Sequence, residues 1–238
     1  MFFKKVKFLL IGAILVSLTS CSDDDPAAFG TVNLKLQTTI SNLGGIPGGR
    51  IAASDVIISD FRIAIRDVGL KFDNSGQGST DTTTNIIFNG PYQLDLLDDT
   101  EPLIQSIGEV EVPNGVYKKL RFVFHKSEEL PAQDKLFDRS IFIARTIKSI
   151  PFGMWHDTSE NFDVSESTGF TINGNYLNIT VNFNVDQFIN AIHEVDLSNA
   201  IDSNGNGMIE INTNDNDGNK ELVDLIKENI KASADLIR

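Results

Sequence analysis

Tyr176-Leu177-Asn178-Ile179-Thr180-Val181-Asn182-Phe183-Asn184-Val185 decides the fold class. Leu177, Ile179, Val181, Phe183 and Val185 fall on one side of an extended chain, with Asn178, Thr180, Asn182 and Asn184 on the other. Successive side chains of a strand point to opposite faces, so the stretch predicts a strand with one face in a core and one in water.

The same rhythm runs back through the chain. Val32, Leu34 and Leu36 alternate with Asn33 and Lys35, predicting a strand over Thr31 to Gln37, and Gly44 to Gly49 then make a loop. Val56, Ile57, Ile58, Phe61, Ile63, Ile65 and Val68 predict one long bent strand, or two in succession, between Asp55 and Phe72. Asp73 to Asn85 is polar and reads as a surface loop. Tyr92, Leu94 and Leu96 form a short strand, and Leu103 to Val112 another that ends in Pro113-Asn114-Gly115. Asn-Gly accepts positive φ and marks a hairpin leading into Tyr117, Leu120, Phe122 and Phe124. Ile141, Ile143 and Ile147 supply a further strand. Short strands with polar turns and no long helical pattern before Val185 predict a mainly β protein, an antiparallel β-sandwich of the immunoglobulin-like type.

The pattern changes near the end. Phe188, Ile189 and Ile192 predict a short helix after Asp186. Leu222, Val223, Leu225, Ile226, Ile230 and Ile237 suit a helix packed on the sandwich, starting near Asn219 as a cap.

Between these lies Asp202-Ser203-Asn204-Gly205-Asn206-Gly207-Met208-Ile209-Glu210. Calcium takes six to eight oxygens, which an EF-hand loop supplies from positions 1, 3, 5, 7, 9 and 12 around a glycine at position 6. Counting from Asp202 places Asn204 at 3, Asn206 at 5, Gly207 at 6, the carbonyl of Met208 at 7 and Glu210 at 9. Thr213 stands where the bidentate Glu belongs, so Asp215 or Asp217 would have to complete the shell. These residues predict a structural calcium site that clamps the last helix, against the competing reading of an Asn/Gly-rich turn that caps backbone groups.

Catalytic signals are weak. His156, in Trp155-His156-Asp157, suits a metal ligand or general base less well than a hydrogen-bonded histidine beside a packed tryptophan. His125 and His193 lie in no ligand spacing, and Glu128-Glu129 reads as a solvated loop. There is no nucleophile elbow, phosphate loop or dinucleotide fingerprint. The chain has 238 residues and a net charge of −13, so it repels nucleic acid and attracts cations.

The single cysteine, Cys21, ends the leader. Lys4, Lys5 and Lys7 precede an uncharged run from Phe8 to Leu18, too short to span a bilayer. The leader with Leu18-Thr19-Ser20-Cys21 resembles a bacterial lipoprotein signal, and Ser22-Asp23-Asp24-Asp25 resembles the acidic export signal of surface lipoproteins of Bacteroidota type. That resemblance implies a diacylglyceryl group on Cys21 and attachment to the outer membrane at the cell surface. The competing reading is an ordinary secretory signal with an incidental thiol. The chain then divides into a leader at 1–20, an acidic spacer at 21–30, a β-sandwich at 31–199, and the loop and helix of the same domain at 200–238.

Tyr92-Gln93-Leu94-Asp95-Leu96-Leu97 and Val112-Pro113-Asn114-Gly115-Val116-Tyr117-Lys118-Lys119-Leu120-Arg121-Phe122 are similar to DUF4382, as are Trp155-His156-Asp157 and Asn182-Phe183-Asn184-Val185 to surface lipoproteins related to it. The likeness spans Thr31 to Val185 and implies a transthyretin-like sandwich of the cell envelope without established catalysis. Two functions remain: a non-catalytic module that binds a protein or glycan, or a surface hydrolase acting on polysaccharide through carboxylates that no motif singles out.

Overall fold

The computed structural model describes residues 29–40, 56–72, 84–99, 101–189 and 191–238. The leader, Cys21, most of the spacer, the glycine loop at 44–49 and most of the polar loop after Asp73 lie outside the described residues. The strands are β1 (Phe29–Thr39), β2 (Val56–Phe72), β3 (Thr84–Asp98), β4 (Glu101–Pro102), β5 (Gln105–Pro113), β6 (Gly115–Phe124), β7 (Ile141–Ile147), β8 (Ile150–His156), β9 (Asn161–Ile172), β10 (Tyr176–Asn184) and β11 (Ile209–Asn212). The helix α1 (Lys220–Ala232) and the strand β12 (Ala234–Ile237) follow.

The protein is mainly β, two packed sheets with one helix near the C-terminus. One sheet runs β12-β10-β1-β5 and the other β11-β8-β7-β2-β3-β4, with β6 paired to β2 and β9 to β6. The core side of β10 is as its sequence predicts, with Ile179, Val181 and Phe183 buried, but of the polar side only Asn178 is exposed, while Thr180 and Asn184 are half-buried and Asn182 is buried. Most pairings are antiparallel, yet β10 lies parallel to β1 and β11 parallel to β8, so both sheets are mixed.

The stretch after Asp55 is indeed one long bent strand. Register shifts at Phe61/Arg62, Ile65/Asp67 and Val68/Gly69 bend β2 along β3. The first half of its other edge pairs with β7 and the second with β6. Aromatic contacts line the core. Phe61 meets Phe183 of the other sheet at 5.6 Å and Phe188 edge-on at 4.8 Å, and Phe162 also faces Phe183 across the core at 6.3 Å. Within its own sheet Phe162 stacks on Phe124 at 4.7 Å and on Phe122 at 5.0 Å.

Three expectations change. Asn114-Gly115 is no hairpin, because β5 pairs with β1 in one sheet while β6 pairs with β2 and β9 in the other. Neither residue takes positive φ, and the Asn114 side chain accepts a bond from the Gly174 amide at 2.8 Å, which ties two corners together. The helix expected after Asp186 is only a 3-10 turn at Val185–Gln187, capped by the Asn184 side chain. Ile237 belongs not to the helix but to β12, which pairs with β10 from Ala234 to Ile237. Among the described residues, no helix is long and apolar enough to cross a membrane.

Candidate calcium loop and the joint beneath the helix

The loop begins where the chain enters β11, whose parallel pairing sets Ile209 beside Phe152 and Asn212 beside Trp155. Asp202 organises its first half. Oδ1 of Asp202 accepts from the Asn206 amide at 3.1 Å and Oδ2 from the Gly207 amide at 2.8 Å, so the carboxylate gathers positions 5 and 6 around itself. Gly207 has φ +87, a left-handed conformation that the sharp turn requires and that side chains rarely adopt. Oδ1 of Asn204 also accepts from the Asn206 amide, at 2.9 Å, and Oδ1 of Asn206 from the Met208 amide at 2.9 Å.

Glu210 closes the circuit. Its Oε2 accepts from the side-chain amides of Asn204 at 3.0 Å and Asn206 at 3.3 Å, and its Oε1 from that of Asn216 at 3.2 Å. Asp217 is fully buried; its two oxygens accept from the backbone amides of Asn204 at 3.2 Å and Glu210 at 2.8 Å. Asp202, Asn204, Asn206, Glu210 and Asp217 thus share one hydrogen-bonded network. Asp215 faces elsewhere: its Oδ1 accepts from the Lys220 amide at 2.9 Å, at the start of α1. Thr213, at position 12, turns its hydroxyl to Asp157 at 3.3 Å.

Among the described residues, no three His, Cys, Asp or Glu side chains form a metal cluster. The loop's donor set is instead a mixture of carboxylate and asparagine oxygens, the hard ligands that calcium takes. Met208 lies over β8, since a Cβ on Gly153 would stand 2.5 Å from its Cε.

Asn219 occupies the cap position of α1 but makes no side-chain cap bond. Its amide spans the loop instead: Oδ1 accepts from the Ile201 amide at 3.1 Å, and Nδ2 donates to the carbonyls of Ile201 at 2.8 Å and Glu210 at 3.0 Å. The cap falls to Asp215, favourably placed for the positive end of the helix dipole.

Beneath α1 lies a second polar joint. His156 is 8% exposed; its Nε2 is 3.2 Å from Oδ1 of Asp224, and its Nδ1 is 3.7 Å from Oδ1 of Asp157, too far for a hydrogen bond. Lys227, also 8% exposed, reaches Asp224 at 3.2 Å and Glu160 at 3.3 Å. The His156 bond, reinforced by Lys227, holds the Asp224 carboxyl below its ordinary pKa. Burial lowers the Lys227 ammonium, but Asp224 and Glu160 outweigh it and raise the pKa. His125 lies 3.9 Å from Glu129 at the surface, and His193 is held through its backbone.

The sequence reading had no place for Asn229, whose buried side chain accepts from the amides of Ile192 and His193, both at 2.9 Å, and donates to the His193 carbonyl at 2.8 Å. Its signal was an asparagine beside Ile226 and Ile230 on the apolar face of a helix.

Residues 53–212 match the family described as "Domain of unknown function (DUF4382)". No curated protein and no solved structure matches the chain. The match begins later than Thr31 and runs on past Val185 through β11, so the loop from Asp202 to Glu210 falls inside it while Asp215, Asp217 and α1 fall outside.

Proposed function

Since the chain belongs to the DUF4382 family, we propose that it is a surface lipoprotein, anchored to the outer membrane through Cys21, whose β-sandwich is a non-catalytic binding or adhesion module with a structural calcium site. The observation that carries the calcium reading is the Asp202 carboxylate, which draws positions 5 and 6 of the loop together. A cation held by Asp202, Asn204, Asn206, the Met208 carbonyl and Glu210, with Asp217 bracing them, would pin the loop. Asn219 would carry that restraint into α1. Nothing in such a site activates water, so the role of the ion is structural.

The anchor rests on the leader and its cysteine. More than one acyl chain makes attachment stable, since each buried CH₂ contributes about 0.8 kcal/mol. Palmitate labelling of the full chain and of Cys21→Ala tests it: label and membrane retention are both lost in the variant, and an unlabelled parent chain overturns the reading. For calcium, melting is followed with added calcium and with excess EGTA. The metal raises Tm in the parent chain but not in Asp202→Ala, and equal melting in both solutions overturns the site.

One observation favours the second reading, a surface hydrolase acting on polysaccharide: His156 stands between the carboxylates of Asp157 and Asp224. That histidine is buried under α1, and Lys227 shares its main partner, an arrangement suited to holding a helix. Release of reducing ends from polysaccharide that His156→Gln abolishes without lowering Tm would establish the hydrolase.

A further inference from the structure

Tyr176 lies across the outer face of the four-stranded sheet. Its register partner on β1 is Thr31, yet its hydroxyl reaches past that strand to the Glu109 carboxylate on β5, with the Asn33 amide beside it. The ring is therefore fixed at its far end while 52% of the residue stays exposed. Phe29, 53% exposed, precedes Thr31 by two residues and so shares its face, diagonal to Tyr176. On the same side a row of hydrogen-bonded amides braces the strands, with Asn33 and Asn182 themselves buried. Asn33 donates to Asn178 at 2.9 Å, Gln37 to Asn182 at 3.4 Å, and Asn182 to Thr39 at 3.1 Å. Asn178 is exposed, and accepting from Asn33 leaves it two N–H donors.

We propose that this face binds an uncharged polysaccharide, with a sugar ring stacked on Tyr176, Phe29 lengthening the apolar strip, and Asn178 donating to sugar hydroxyls. The proposal rests on the binding-module reading above and names its ligand class. A pinned aromatic offers a flat apolar surface at little cost in side-chain freedom, and amides can both donate to and accept from hydroxyl groups. Glu109 and Glu111, both exposed along β5, disfavour nucleic acid, acidic glycans and anionic lipid headgroups. A protein partner would need a broader apolar centre than two rings at one end of a polar row.

The test is affinity electrophoresis and calorimetry of the full chain with dextran, mannan, xyloglucan and a β-1,3-glucan, using polygalacturonate and lipid vesicles as controls. At least one neutral polymer binds, and Tyr176→Ala weakens it about tenfold while Tm is unchanged, because the ring is half-exposed. Asn178→Ala weakens it less, and Lys148→Ala, in the turn between β7 and β8, leaves it unaltered. Binding that is absent, indifferent to Tyr176→Ala, or seen only with polygalacturonate or vesicles overturns the platform and leaves the anchored module standing. Tyr176-dependent binding accompanied by release of reducing ends supports the platform and overturns the non-catalytic reading.

Discussion

Nε2 of His156 stands 3.2 Å from Oδ1 of Asp224, a contact that joins the last residue of β8 to the helix packed beneath it. Lys227 approaches the same oxygen at 3.2 Å, so one carboxylate serves two donors. The contact fastens α1 to the sandwich about one turn beyond Asn219.

Acid should loosen that joint. The Asp224 pKa is depressed, so its contribution is present above the unfolded value near about 4 and fades as pH falls through the folded value. Asp163 behaves alike: burial pushes its carboxyl up, but bonds from Arg121 at 2.7 Å and Lys71 at 3.2 Å outweigh this and hold it down. Urea midpoints measured from pH 7 downward should decline below about pH 4. Asp163→Asn should flatten that decline more than Asp224→Asn, whose side chain is 67% exposed and screened by water. Equal acid slopes in the parent and both variants would contradict the assignment.

Asp217→Asn should destabilise the protein by about 2 kcal/mol, because a buried acceptor that holds two backbone amides becomes partly a donor facing a donor. Chemical denaturation measures the loss, and hydrogen exchange should speed up at Asn204 and Glu210 first. A loss below about 0.5 kcal/mol would mean that water replaces the carboxylate.

Asn229→Leu should cost about 2–3 kcal/mol despite the gain in apolar volume, since it leaves two amides and one carbonyl of the Ile192–His193 segment unpaired. Limited proteolysis should then cut near His193, with the core strands still protected.

Trp155 is the only tryptophan, and the Arg139 guanidinium lies 4.3 Å over its ring. Arg139→Ala should change the emission of the folded state and lower stability by about 0.5–1 kcal/mol. An unchanged spectrum would show that the stacked arrangement is not kept in solution.

Strand positions were readable where apolar residues hold the buried side without a break, as at Val32, Leu34 and Leu36 or through β10, because a period of two is the direct signature of a half-buried strand. Partners were not readable. Asn114-Gly115 carries the local chemistry of a hairpin, yet that chemistry cannot report that β5 joins one sheet and β6 the other. The strands β8, β9 and β11 passed unseen: β8 has Pro151, Gly153 and Trp155 where polar residues would alternate, Glu166 and Thr168 break the buried side of β9, and β11 is only four residues long, so pairing with neighbours rather than local preference settles them. Around the loop, oxygen spacing was legible from Asp202 to Glu210. What Asp215 and Asn219 do was not, because both suit a helix cap equally and only the fold decides which takes it.

The four-stranded sheet draws its members from residues 29–39, 105–113, 176–184 and 234–237. That layer therefore cannot close until its last strand, residues 234–237, is available, and the sheet that carries Tyr176 is assembled from segments far apart along the chain. Removal of residues 234–238 would strip β10 of its partner β12 and leave it with an open edge, inviting association between copies.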